Sequence, residues 1–314
     1  MARYILHRLV AIIPMAVLLT AAVFALVHAF LGDPVVLMLG READAETAQR
    51  LRHELRLDRP LYVQYADWLS HAARGDLGRS LRDREPVARA IESRLSVTGE
   101  LTLLAMAVAF AASLALGTAA AVRAGGAVDF AISGFCIAGV TLPNFLVGIM
   151  LIFLFGLTLR WLPSGGYAPF FVQPADNLRL MILPTATLSL AYIGFLSLVL
   201  KSSVMAALRA PYVQTGRAKG ITERRVLVRH VLRNSLIPLL SVLGVEVGRL
   251  FGGAVITETI FALPGVGRLL VDSILGRDFP VIQAVVALLT FGVLVVNLCV
   301  DLAYGWLDPR VTYG

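Results

Sequence analysis

Six stretches of the chain stay apolar over twenty or more residues: Leu9–Leu31, Gly99–Val122, Val128–Leu159, Leu180–Leu200, Leu236–Thr257 and Val281–Tyr304. About twenty such residues carry a helix across the hydrocarbon of a bilayer. Backbone in lipid must satisfy its own hydrogen bonds, so each stretch reads as a membrane helix and the chain as an all-α integral membrane protein. Composition excludes the alternatives. Hydrophobic residues make up 58% of the 314 and charged residues 16%, whereas a soluble domain carries about 25% charge. A soluble enzyme of this composition would expose too much apolar surface, and a disordered chain would be poor in hydrophobics. The third stretch is too long for one simple crossing and is expected to kink at Pro143. Pro14 and Pro184 are expected to kink their spans too. The fifth stretch is interrupted by Glu246 and Arg249.

Arginine placement orients the spans. The N-terminus carries Arg3 and Arg8, and residues 201–235 carry eight Lys/Arg against one acid, Glu223. Basic loops stay cytoplasmic. Four spans separate these two segments, so both fit the same side, and the C-terminus after six spans is expected to be cytoplasmic as well. The basic start and long first apolar run read as a retained signal anchor rather than a cleaved leader. The first loop, Gly32–Thr98, holds eleven Arg and eleven Asp/Glu. At that length the charge rule weakens, and it is placed outside. It is expected to hold surface helices at Asp44–Leu57 and Tyr62–Leu69. The net charge of +7 therefore reports arginine-rich loops at a lipid bilayer and calls for no nucleic acid. Cys136 and Cys299 sit in apolar stretches and read as small buried hydrophobes. The resulting organisation is residues 1–31, a cytoplasmic tip and first helix; 32–98, an external loop region; 99–305, a five-helix core containing the cytoplasmic loop 201–235; and 306–314, a cytoplasmic tail.

Catalytic motifs are missing. No Gly-Lys dipeptide occurs, so there is no phosphate-cradling loop of the G-x-x-x-x-G-K type. No H-E-x-x-H or G-x-S-x-G occurs. No catalytic residue and no metal-ligand set is assigned. The unusual segment is APYVQTGRAKGITERRVLVRHVLRNSLIPLL, Ala210–Leu240. It reads as a short helix, Tyr212–Lys219, stopped by Gly220, then a longer basic helix. Two readings stand side by side: a docking surface for a partner, or an interfacial helix held by acidic lipid.

This segment resembles the cytoplasmic coupling loop of the permease subunits of dipeptide/oligopeptide/nickel ABC importers. The resemblance rests on Tyr212, Val213, Thr215, Arg217, Ala218, Lys219 and Gly220, followed by Arg225, His230, Leu232, Arg233, Asn234 and Pro238. It extends to Gly32-Asp33-Pro34, Gly75-Asp76-Leu77-Gly78 and Leu142-Pro143-Asn144-Phe145. It continues through Glu258-Thr259-Ile260-Phe261, Pro264-Gly265-Val266-Gly267, Arg277-Asp278-Phe279-Pro280 and Asp308-Pro309-Arg310. Gln214-Thr215-Gly216 stands where the wider importer pattern has Glu-Ala-Ala. The resemblance implies a type I importer permease fold. It implies a second homologous permease, two ATP-binding cassette ATPases and a periplasmic substrate-binding protein as partners, in a bacterial inner membrane. It makes Tyr212, Thr215, Arg217, Ala218, Lys219 and Gly220 the ATPase-coupling element. ATP and Mg would be used by the ATPases, and no cofactor is bound by this chain. The implied cargo is a di- or oligopeptide, with nickel or a nickel chelate as the rival.

Glu246 and Arg249 lie three apart in the fifth stretch. Intramembrane charges are costly and mark a cavity or a partner, so they are either translocation-path residues or a local ion pair. Gly244, Gly248 and Gly252 form a G-x-x-x-G face that permits close packing, on a partner permease or within the chain. Asp301, near a span end, and His28 read as structural. Glu258, Phe261, Pro264 and Gly265 fall in an expected external loop, Glu258–Pro280, which by resemblance forms a periplasmic gate or binding-protein contact. Rivals from other classes are an ion-coupled secondary transporter, for which inverted repeats should be visible, and an intramembrane enzyme.

Overall fold

The computed structural model describes residues 2–30, 35, 44–54 and 57–307. Gly32-Asp33-Pro34 and Asp308-Pro309-Arg310 lie outside these residues, as do the side chains of Arg3, Arg8 and Asp301. The described elements are α1 (Ala2–Phe30), α2 (Ala45–Glu54), α3 (Leu61–Ala72), α4 (Val87–Val122), α5 (Ala127–Thr141), α6 (Asn144–Thr158), α7 (Pro174–Leu208), α8 (Pro211–Ala218), α9 (Glu223–Ile260), α10 (Val266–Leu275) and α11 (Phe279–Leu307). Among the described residues the only extended pairing is a single bridge, Arg79 to Pro86. The helices α4, α7, α9 and α11 are each long and apolar enough to cross a membrane. The apolar part of α1, Ile13–Ala29, is shorter.

The third apolar stretch is a broken pair. Helices α5 and α6 meet at an angle of 105°. Proline lacks an N–H and drives the residue before it out of the helical region. Leu142 accordingly sits at φ −71°, ψ 130°, and α6 restarts after Pro143. The expected kink is thus a full break. Its contacts with α7 are close. Asp129 pairs with Lys201, Cys136 lies against Gly194, Gly139 against Leu190 and Gly148 against Thr187. The α7 partner number falls as α5 advances, so α5 runs antiparallel to α7, and α6 turns away after the break. Close approach explains the glycines. A Cβ on Gly139 would sit 3.0 Å from the Leu190 carbonyl oxygen, and one on Gly194 would collide with the Cys136 carbonyl. Turns of π-helix at Ile152–Thr158 and Val226–Leu232 lie within α6 and α9.

The chain forms two compact units, residues 1–98 with 264–295, and 99–263 with 296–314. In the second, α7 packs on α5, α6 and α9, around Leu188, Leu196, Leu200, Leu239 and Leu250, which are fully buried. In the first, Val87, Ile91, Val266, Val281 and Val285 form one cluster and Val27, Phe279 and Ile282 another. Two of the quoted motifs meet there. Asp278 accepts hydrogen bonds from the Ser80 hydroxyl and the Leu81 N–H, and a Cβ on Gly78 would sit 3.9 Å from Pro280. Thr98 Oγ1 accepts the Val266 N–H at 2.9 Å, at the start of α10.

Several expectations need correction. Residues 201–235 are mostly helix, because α7 runs to Leu208 and α9 begins at Glu223. The expected loop Glu258–Pro280 contains the last turn of α9 and all of α10. Hydropathy windows end where helices leave the apolar zone, so both connections hold more helix than their apolar content shows. Cys136 is buried, but Cys299 is exposed on α11.

Candidate functional site: a capped helix and a charged helix face

Helix α8 is set off from α7 and α9 by local chemistry. Pro211 occupies its first turn, where a missing N–H costs nothing. Thr215 Oγ1 donates to the Pro211 carbonyl at 3.0 Å. At the other end the Gly220 N–H donates to the Arg217 carbonyl at 2.9 Å and the Ile221 N–H to the Gly216 carbonyl at 3.2 Å. Gly220 has φ +75°. This is the paired-bond Schellman stop, which needs a left-handed residue beyond the helix end. Across the turn, Arg217 Nε and Nη2 donate to the two Glu223 carboxylate oxygens at 2.7 and 3.1 Å. These bonds hold the Glu223 carboxyl below the usual carboxylate range. Val213 is fully buried and fastens one face. Tyr212, Thr215, Arg217, Ala218, Lys219 and Gly220 are all exposed. The result is a rigid projecting stud with a basic outer face, further charged by Arg224 and Arg225.

The charged face of α9 is asymmetric. The Glu246 side chain is 7% exposed and the Arg249 side chain 70%, with Arg249 Nη1 donating to Glu246 Oε1 at 2.8 Å. The local i,i+3 pair therefore exists. It leaves most of an exposed guanidinium unspent in the middle of an apolar helix. Tyr192 on α7, nearly buried, lies within electrostatic reach of both charges. Val245, Gly252 and Ile256 are exposed on the same side as Arg249. Such a face is too costly to leave in hydrocarbon. Intramembrane charges ordinarily face water or a partner.

The glycine face divides. Gly244 and Gly248 are buried within the chain, whereas Gly252 is exposed with nothing within 4 Å of a built Cβ. The glycine held tightly on α7 is Gly253, whose Cβ would lie 2.9 Å from Leu188 Cδ1. Helix phase, invisible in spacing alone, decides between the neighbours. Glu258 and Phe261 are fully buried, so they offer no surface to a partner in this conformation. The Gly166 N–H donates to the Phe261 carbonyl at 3.0 Å, and Ala262 turns at φ +54°. Pro264 is exposed and Gly265 buried. The last turn of α9 thus acts as a packed corner.

Two arrangements escaped sequence reasoning. Asp129 pairs with Lys201, accepts the Gly125 N–H at 3.0 Å and the Ser133 hydroxyl at 3.1 Å, and Lys201 Nζ donates to Ser133 at 3.0 Å. This clamp locks the start of α5 to α7. The other is an open cleft of about 690 Å³ near the start of α7, lined by Arg160, Trp161, Tyr167, Asp176 and Arg179. There the Tyr167 hydroxyl donates to Glu100 at 2.8 Å. Burial first, then that bond, pushes the phenol up to about 12. Phe171, in the same loop, is 98% exposed. His28 packs as expected, with Nδ1 2.8 Å from the Phe24 carbonyl.

Four helices long and apolar enough to cross a membrane, with a short capped helix between two of them, fit a multi-pass membrane protein. Residues 113–313 match the family described as the binding-protein-dependent transport system inner membrane component, and residues 1–102 match its N-terminal companion. The chain belongs to this family of ABC transporter permeases. It is 40% identical over 313 residues, spanning both chains in full, to a putative peptide transport system permease protein of Brucella suis biovar 1 (strain 1330). It is 38% identical over 313 residues, again in full, to a glutathione transport system permease protein of Salmonella choleraesuis (strain SC-B67). A probable peptide ABC transporter permease of Sinorhizobium fredii (strain NBRC 101917 / NGR234) is 38% identical over 310 residues, 99% of each chain. Among solved structures, "Crystal structure of an amino acid ABC transporter with histidines" matches with a TM-score of 0.52 and 16% identity. That match covers 69% of this chain and 93% of the other, and speaks for the fold alone. Family membership sets aside the secondary-transporter and intramembrane-enzyme alternatives.

Proposed function

We propose that this chain is one of two permease subunits of an ATP-driven type I importer, moving di- or oligopeptides delivered by a periplasmic binding protein across the bacterial inner membrane. Six spans, with α5 and α6 counted as one and α1 as the first, put both termini and α8 in the cytoplasm. Helix α8 seats in a cleft of an ATPase partner. The observation that carries the reading is the stud itself: a short helix with an apolar root, a Schellman stop and an outer face of Tyr212, Thr215, Arg217 and Lys219. A rigid projection of this kind transmits motion that a loop would absorb. ATP and Mg are used by two partner ATPases, whose closure rocks the two permeases between facing states. The face of Arg249, Gly252 and Ile256 meets the path or the second permease, with Glu246 holding the guanidinium in place. Full-length similarity to peptide and glutathione permeases supports the cargo class. Nickel is the competing cargo.

The test is ATP hydrolysis by the reconstituted complex, with its binding protein presenting a dipeptide mixture, glutathione or a nickel chelate in turn. Stimulation by a peptide supports the reading. Stimulation by the nickel chelate alone replaces the cargo, and failure of ATPases to co-purify with the permease overturns the coupling role.

A further inference from the structure

The foot of α9 carries charge that coupling and transport, as described above, do not use. Arg224, Arg225, Arg229 and Arg233 stand within ten residues and are all exposed. None of the four guanidiniums donates a hydrogen bond or enters an ion pair among the described residues. The one acid of residues 201–235, Glu223, is already engaged by Arg217. A cluster of four unneutralised cations at the end of a membrane helix seeks anions.

Burial sorts the sides of this foot. Val226 and Val231 are fully buried, in the π-helical turn on which α7 and α8 pack. Val226 Cγ2 lies 3.9 Å from a Cβ built on Gly216 of α8. Val228 and Arg233 each follow one of these valines by two residues, about half a helical turn, and both are exposed with Arg229. Arg229 and Arg233 therefore face away from α8, the element that meets the ATPase in the reading above.

Nor do they join the face of Arg249. At about 100° per residue, Arg233, Ile237 and Leu240 fall within about 60° of arc, whereas Arg249 stands about 160° round the helix from Arg233. Ile237 and Leu240 are exposed. One stripe of α9 thus passes within a single turn from guanidinium to bare aliphatic surface.

Depth narrows the choice of partner. The apolar stretch begins at Leu236. Arg233 lies about 5 Å before it and Arg229 about 10 Å, at ordinary helical rise. The headgroup layer is about 5–8 Å deep on each side of the hydrocarbon, and long basic side chains reach along a helix to meet it. Cations at headgroup depth, continuous with aliphatics at acyl depth, match the two halves of a phospholipid. No free carboxylate stands beside them to receive an ammonium, so an anionic headgroup fits better than a zwitterionic one.

We infer that this stripe binds an anionic phospholipid of the phosphatidylglycerol type. Arg229 and Arg233 hold its phosphate, whose oxygens suit the guanidinium fork, and an acyl chain lies along Ile237 and Leu240. The inference rests on the reading of α9 as a membrane span with its foot at the inner face.

Native mass spectrometry of the complete transporter, titrated with phosphatidylglycerol or phosphatidylcholine, tests this. The wild-type permease chain is expected to hold phosphatidylglycerol more tightly. Each basic residue at an anionic surface strengthens binding about fivefold, so R229Q/R233Q should weaken the tightest phosphatidylglycerol site by about 25-fold and still retain its ATPase chains. Equal affinity for the two lipids, an unchanged Kd in the variant, or loss of ATPase chains from the variant overturns the inference. A second measurement leaves the arginines in place. With Ile237 replaced by p-benzoylphenylalanine, the complex in vesicles of phosphatidylglycerol and phosphatidylcholine should photo-crosslink to phosphatidylglycerol. No lipid crosslink, equal yields with both lipids, or a crosslink to a partner chain defeats the proposal. If ATPase chains fail to co-purify even with the wild type, the coupling role of α8 falls, and the lipid affinities still decide this inference.

Discussion

Replacing Gly220 probes the stud at its weakest point. The residue holds φ +75°, and a Cβ built on it meets nothing within 4 Å. The cost of a side chain is therefore torsional and not steric. A non-glycine residue in the left-handed region costs about 1–2 kcal/mol. Gly220→Ala should then lower the population of the stopped helix by about 5–30-fold relative to its alternatives. Asparagine tolerates this region, so Gly220→Asn should lose less. Gly220→Pro is different in kind. It fixes φ near −65° and removes the N–H that donates to Arg217, so the stop cannot form and the Arg217–Glu223 clasp loses its geometry. The assay is retention of ATPase chains by the affinity-purified permease, with peptide-stimulated ATP hydrolysis measured alongside. The expected order is wild type, Asn, Ala, then Pro with coupling abolished while the permease remains inserted. Wild-type retention and stimulation in Gly220→Pro would refute the reasoning, as would a reversed order of Ala and Asn.

Three further outcomes follow from the geometry. Lys201→Met leaves the Asp129 carboxylate without its cation and should lower thermal stability, whereas adding Asp129→Asn should recover much of that loss in a double-mutant thermal-stability cycle. Gly253→Ala pushes against the fully buried Leu188 and should cost about 1–3 kcal/mol in thermal stability, while Gly252→Ala should leave stability unchanged and weaken only assembly of the permease pair, measured by co-purification. Tyr167 should remain a neutral phenol until about 12. The folded state thus keeps a proton that the unfolded chain releases near 10. Stability should be flat below that pH and fall as pH rises from there to about 12, and Tyr167→Phe should abolish that step in a pH-dependent melting series.

Much of this was legible along the chain because lipid imposes a simple rule on sequence. Apolar runs located the four helices long enough to cross a membrane, and Pro143 located the break between α5 and α6. The Tyr212–Gly220 pattern located α8 and its stop. The 105° bend was not legible, because proline forbids a helix without saying where the next one points. The Asp129–Lys201 clamp joins residues 72 apart, a distance no local pattern spans. Glu258 misled for another reason. Its place just past the fifth apolar stretch suggests a loop, but it is buried in a helix end. Gly252 and Gly253 show how far spacing can be trusted: one step of rotation separates a free surface from a packed one.

The unbroken length of α9 has a mechanical corollary. Its 38 residues make a shaft of about 57 Å at ordinary helical rise. The Arg217–Glu223 clasp grips it at one end, and the packed corner at Phe261 closes the other. A swing of about 5° about the clasp would carry that far corner through about 5 Å and Arg249 through about 3 Å. The second figure is the length of one hydrogen bond. A stroke too small to reshape the stud is thus large enough to make or break the guanidinium's contacts, and the π-helical turn at Val226–Leu232 is the place where such a shaft would yield.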